Sequence, residues 1–129
     1  MTKSPKKGGE PLVSIIVRTK NEERWIGSCL KAVFRQDYKN FEVILVDNQS
    51  TDLTVSKAQE FPVKLVEIEN FRPGNAINEG IRASKGETLV ILSGHCVPVN
   101  KSWLGNLIRD LEDPDVGGVY GRQEPLSFS

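Results

Sequence analysis

No sign of charge dominates this chain of 129 residues, since Lys and Arg together number 17 and so do Asp and Glu. A balanced surface has no long-range field to draw nucleic acid or an anionic membrane, so an anionic ligand must be gripped locally. Long apolar runs are missing too. Segments such as Val43 to Val46 and Leu89 to Leu92 are strand-length, far below the roughly 20 residues of a membrane-crossing helix. Cysteine is scarce: Cys29 and Cys96 are too few and too distant in sequence for a disulfide framework or a CxxC metal site. That points to a reducing, cytoplasmic setting, at most peripheral to a membrane in a complete protein. Residues 1–11 contain lysines, glycines and prolines without an apolar segment behind the charges, which excludes a secretory signal and reads as a flexible lead-in to one domain over 12–129. Finally, no GxGxxG or GxxxxGK[ST] follows any apolar run, which removes the pyrophosphate cradle of a dinucleotide-dependent oxidoreductase or a P-loop protein.

What is present is an ordinary globular composition, 38% hydrophobic and 26% charged, long enough to bury a core. Leu12 to Val17 is β-branched and continuously apolar, as a central strand covered on both faces would be. From Ile26, apolar residues recur at Cys29, Leu30, Val33 and Phe34, one face of a helix. The alternation repeats: strand Phe41 to Val46, short helix Thr54 to Glu60, strand Val63 to Ile68, a helix opened by Pro73-Gly74 and closed by Gly86, then a buried strand Thr88 to Leu92. A helix over Trp103 to Leu111 stops at Asp113-Pro114, and Val116 to Arg122 is a last strand. This order predicts an α/β, Rossmann-like domain. Its sheet is mainly parallel, with right-handed crossovers and helices on both faces. Ligands of such sheets bind beyond the carboxyl ends of the strands, here just after Val17, Val46 and Leu92.

Three polar clusters stand at those ends. Arg18 to Glu23 offers groups for a ribose or base, or equally an ordinary helix start with Asn21 as N-cap. In Asp47-Asn48-Gln49-Ser50-Thr51-Asp52, Asp47 sits at the sheet's lip as an acceptor, while Asp52 or Thr51 serves as a helix cap. Ser93-Gly94-His95 places a hydroxyl and the chain's one imidazole on the same side of an extended segment. His95 is either a ligand residue or a hydrogen-bonded loop histidine, and Cys96 a small buried hydrophobe. For a phosphate, the local combination on offer is Arg72 with the helix start at Gly74-Asn75.

Four segments then take on a shared meaning: Val13-Ser-Ile-Ile-Val-Arg-Thr-Lys-Asn-Glu22, Val43-Ile-Leu-Val-Asp-Asn-Gln-Ser-Thr-Asp52, Gly74-Asn-Ala-Ile-Asn-Glu-Gly80 and Ala83-Ser-Lys-Gly-Glu-Thr-Leu-Val-Ile-Leu92. In order and spacing they resemble the front half of the family-2 glycosyltransferases of GT-A fold, over about Leu12 to Pro98. The resemblance implies strand order 3-2-1-4, a nucleotide-diphosphate sugar donor and inverting transfer to an acceptor hydroxyl. By position, Thr19, Asn21 and Glu22 would line the nucleoside pocket, and Asp47 would read the base with Asn48 and Ser50 beside it. Arg72, Asn75 and Asn78 would lie near the diphosphate and donor sugar, Ser93 and His95 would complete the donor site, and Gly80 would let its helix pack closely on the sheet.

Two departures from the family's pattern carry consequences. Where the family usually has an Asp-x-Asp that binds ribose and a divalent metal, this chain has Ser93-Gly94-His95. Mn²⁺ tolerates imidazole better than Mg²⁺ does, so His95 is a metal ligand for Mn²⁺ or else contacts phosphate directly. The chain also stops before the acceptor half, where the catalytic base is expected, so a truncated domain with an unknown acceptor is implied. A bare Val116 to Arg122 edge would then favour a homo-oligomer. The competing expectation is a non-catalytic interaction module that keeps the scaffold and not the chemistry.

Overall fold

The structure is a computed structural model that describes residues 10–69 and 75–112. Its elements alternate as β1 (Val13–Thr19), α1 (Ile26–Phe34), β2 (Phe41–Asp47), α2 (Thr54–Ala58), β3 (Lys64–Glu67), α3 (Asn75–Ala83), β4 (Thr88–Ser93) and α4 (Trp103–Leu111). The four strands form one sheet in the order β3-β2-β1-β4, every pairing parallel. Both the order and the direction are those expected from the sequence. The chain steps outward from β1 through β2 to β3 and then returns to the other side of β1 for β4. The reversal of strand order therefore lies between β1 and β4, at whose carboxyl ends a crevice opens.

The continuous apolar character of β1 and β2 is explained by a core on each face. On one side, Val13, Ile15 and Val17 of β1 and Val43 and Leu45 of β2 pack with Ile26, Cys29, Leu30 and Val33 of α1, Ala58 of α2 and Leu104 and Ile108 of α4. On the other, Ile16, Ile44 and Val46 meet Ala76 of α3 and Ile68. The second core is thin because α3 approaches so closely. A Cβ placed on Gly80 would fall 2.5 Å from Cγ2 of the buried Ile16, so only glycine fits there, as the sequence suggested.

The reading of β4 as a fully buried strand needs correction. Val90 and Leu92 face the larger core, but Leu89 and Ile91 are 37% and 39% exposed, because α3 lies over β1, β2 and β3 and not over β4. Of the two readings open for Asn21, the helix cap falls away. The first turn of α1 starts from Trp25 without any side-chain cap, and Asn21 lies ahead of it with φ of 52°. At α2 the N-cap position is Leu53, without a side-chain cap, and Asp52 just ahead of it accepts from the Thr54 amide at 2.9 Å. The expected strand Val116 to Arg122, with the edge pairing inferred from it, lies outside the described residues, as does Arg72. Among the described residues no helix is long and apolar enough to cross a membrane.

Candidate nucleotide-binding cleft

The site is built by two loops that lock each other. Thr19 and Asp47 are register partners at the ends of β1 and β2, and both are buried, 4% and 2% exposed. Burial without partners would be costly for a hydroxyl and a carboxylate, and the chain supplies the partners. Thr19 Oγ1 donates to Asp47 Oδ1 at 2.8 Å. The Ser50 amide donates to Oδ2 at 2.9 Å and the Ser50 hydroxyl to Oδ1 at 2.5 Å. The Asn21 amide then donates to Ser50 Oγ at 2.8 Å, and the Asn21 side-chain oxygen accepts from the Thr51 amide at 2.8 Å. Asn21 and Gln49 take left-handed backbone, φ 52° and 54°. Asparagine tolerates that conformation through its short polar side chain. Gln49 is held there by the turn that Asp47 and Ser50 close.

One group in this network has no partner. The Asn48 amide extends the strand ladder by donating to the Thr19 carbonyl at 2.9 Å, whereas its side-chain Oδ1 is buried without a hydrogen bond. Buried oxygens are nearly always paired, so this one is an exception among the described residues of the cleft.

The end of β4 forms the opposite wall. The Gly94 amide donates to the Arg18 carbonyl at 2.9 Å, and Arg18 Nη2 donates to Ser93 Oγ at 3.2 Å. A Cβ on Gly94 would sit 2.6 Å from Thr19 Cγ2 and 3.3 Å from Glu22 Cγ. The glycine between Ser93 and His95 is therefore what lets the two rims approach. His95 Nδ1 stands 3.0 Å from Glu22 Oε2. Arg18, Thr19, Lys20, Glu22, Asn48, Ala76, Ser93 and His95 line an open cleft of about 170 Å³, below the roughly 300 Å³ at which whole small-molecule sites begin but suited to part of a nucleotide.

Of the residues expected from the sequence, Thr19, Glu22, Asn48, Ser93 and His95 share this cleft, while Asp47, Ser50 and Asn21 form the scaffold behind it. Asn75 and Asn78 are not in its lining, which α3 enters through Ala76. Arg18 and Lys20 were not singled out individually. The signal for Arg18 was a lone charged residue in the strand, and it is the one exposed position of β1. Among the described residues no cluster of three or more His, Cys, Asp or Glu side chains is placed to hold a metal. Cys29 is no substitute ligand: burial first, then the nearby Cys96 and Glu22, push its thiol up to about 12, and a thiol that keeps its proton neither ligates nor attacks. The cleft's carboxylate and imidazole, Glu22 and His95, face each other at 3.0 Å.

Comparison with known proteins agrees with this geometry. The family described as Glycosyl transferase family 2 matches residues 14–125. A Methanococcus voltae protein, dolichyl N-acetyl-alpha-D-glucosaminyl phosphate 3-beta-D-2,3-diacetamido-2,3-dideoxy-beta-D-glucuronosyltransferase, is 33% identical over 84% of this chain and 38% of its own length. The mannosyltransferase PcManGT of Pyrobaculum calidifontis, solved with GDP-Man and Mn²⁺, superposes with a TM-score of 0.77 at 33% identity, over 83% of this chain and 34% of that one. S. aureus TarS 1-349 with UDP-GlcNAc gives 0.70 at 27% identity, over 89% and 37%. The chain thus spans between a third and two fifths of the length of these relatives. With the family pattern covering most of the sequence and the parallel sheet in the matching order, the chain belongs to glycosyltransferase family 2.

Proposed function

We propose that the cleft binds the nucleoside diphosphate of an activated sugar, in a protein that transfers the sugar with inversion to an acceptor hydroxyl. The observation that carries this reading is the orphaned Asn48 oxygen. It lies beside the strand-order reversal, in a cleft with two cations and in a chain whose relatives include proteins solved with GDP-Man and UDP-GlcNAc. Asn48 takes the base contact first expected of Asp47, because the Asp47 carboxylate is already engaged by Thr19 and Ser50. An amide offers an acceptor and two donors on one planar group, which suits the mixed edge of a base. Asp47, Ser50 and Asn21 hold the loop that presents it.

Ser93 supplies a hydroxyl to the ribose, while Arg18 and Lys20 place positive charge where the diphosphate leaves, joined by Arg72 with Asn75 and Asn78 toward the sugar. One imidazole facing one carboxylate beside two cations does not fit a divalent metal ion. The catalytic base, which must reach the acceptor hydroxyl, we assign to the portion of the relatives that this chain does not span. The acceptor site belongs there too. The two free thiols suit a reducing compartment.

Calorimetric titration with UDP, GDP and dTDP in the presence of Mn²⁺ tests the reading. One of them is expected to bind, and Asn48→Ala to weaken it by roughly 10- to 100-fold, the effect of losing a hydrogen bond to a buried group. Heat from none of the three, or an Asn48→Ala protein that binds as well as the parent, would refute it.

A further inference from the structure

The end of β4 departs from the family's pattern in charge as well as in sequence. Ser93-Gly94-His95 stands where that pattern usually has two carboxylates, and the neighbouring strand brings cations to the same place. Arg18, the exposed position of β1, is the register partner of Ser93, and its Nη2 donates to Ser93 Oγ at 3.2 Å. Lys20 lines the same cleft. There α3 contributes Ala76, the second residue of the helix, and the amino end of a helix carries partial positive charge. Against these stands one carboxylate, Glu22, which is turned to the His95 ring at 3.0 Å.

A divalent ion fits such a lining poorly. It asks for several oxygen donors, or for an imidazole joined by further ligands, and among the described residues no three His, Cys, Asp or Glu side chains cluster to hold one. The two cations in the cleft would repel it. A diphosphate meets the opposite conditions. A guanidinium has five N–H donors, of which the bond to Ser93 uses one, and its planar fork matches a pair of phosphate oxygens.

From this lining we infer that the cleft takes its nucleoside diphosphate without a divalent ion, and that Arg18, steadied by Ser93, supplies with Lys20 the positive charge an ion would bring. The inference rests on the nucleotide-binding reading above and deepens it. Arg18 becomes the residue that recognises the diphosphate, and Ser93 a positioning residue that acts through it.

Calorimetry in EDTA, Mg²⁺ and Mn²⁺, with whichever of UDP, GDP and dTDP binds, tests the inference. The three affinities should agree within about threefold, a difference under 1 kcal/mol, because the protein itself neutralises the ligand. Arg18→Gln should weaken binding in EDTA by roughly 10- to 100-fold, the loss of charge-assisted hydrogen bonds. Arg18→Lys, which keeps the charge and loses the fork, should fall between that variant and the parent. Arg18 is exposed, so melting temperatures of both variants should match the parent's. Tightening beyond threefold by either ion would overturn the inference and leave the nucleotide site standing, as would an Arg18→Gln protein that binds the diphosphate as the parent does. Absence of binding under every condition would remove both.

Discussion

The two ends of one sheet pose the same problem and solve it differently. At the amino end, Ser14 of β1 faces Glu42 of β2 in register, and at the carboxyl end Thr19 faces Asp47. Each is a hydroxyl donating to a carboxylate across the same pair of strands, at 2.5 Å and 2.8 Å. At the amino end the chain closes over the pair: the Gly86 amide donates to Ser14 Oγ and the Lys85 amide to Glu42. At the carboxyl end the chain supplies Ser50 to Asp47 but leaves the neighbouring Asn48 oxygen without a partner. A fully satisfied buried network adds rigidity, whereas an unsatisfied one awaits a partner. The difference separates the end that holds the fold from the end we propose as the ligand site.

The sharpest way to break this contrast is Asp47→Ala. It strips Thr19 and Ser50 of their shared acceptor and releases the loop that carries Asn48. It should cost about 3 kcal/mol of stability, three donors of which the Thr19 hydroxyl is buried and the two of Ser50 partly so, at roughly 1–3 kcal/mol for a buried one and with partial relaxation, and abolish nucleotide binding as well. Urea denaturation and calorimetry on the same protein check both, and a variant that kept either property unchanged would contradict the assigned role.

Ser14→Ala should show the opposite asymmetry. It removes a fully buried hydroxyl and strands the Gly86 amide, at a cost of about 1–2 kcal/mol. Nucleotide affinity, set at the far end of the sheet, should stay within twofold. An affinity loss comparable to that of Asn48→Ala would show that the two ends are not independent.

How much of this was legible in the sequence follows from what local pattern encodes. The strands of the sheet and the bounds of α4 at Trp103 and Leu111 were readable because apolar periodicity reports burial directly. Which of Asp47 and Asn48 turns into the cleft was not. β2 is buried on both faces, and a continuous apolar run hides the phase that alternation would reveal. Asp47 shares its side with Val43 and Leu45, beneath the loops, and that phase appears only in three dimensions. The choice between the two readings of Asn21 stayed open for a related reason. Asparagine suits a helix cap and a left-handed turn equally well, and the choice was made by Thr51 and Ser50, some thirty residues away in sequence. The meeting of Glu22 with His95 depends on the order of strands around β1, which no single motif contains.

The smallest expected effect lies in acid, and it again divides the two ends. Burial alone would raise the Glu42 carboxyl, but hydrogen bonds from Ser14 and the Lys85 amide, helped by the Lys64 and Lys85 charges, outweigh it and hold the group below the ordinary carboxylate value. A group whose value is lower folded than unfolded binds fewer protons in the native state. Its contribution is therefore complete above the unfolded value of roughly 4.3 and is lost as pH falls through the folded one. Partial solvent exposure keeps the effect small. Glu42→Gln should accordingly flatten the fall in stability as pH drops below about 4.5 while leaving the neutral-pH nucleotide affinity as it was. Urea midpoints of the two proteins across that window check the sign, and a variant that lost stability in acid as steeply as the parent would show that the amino-end carboxylate is not the group being titrated.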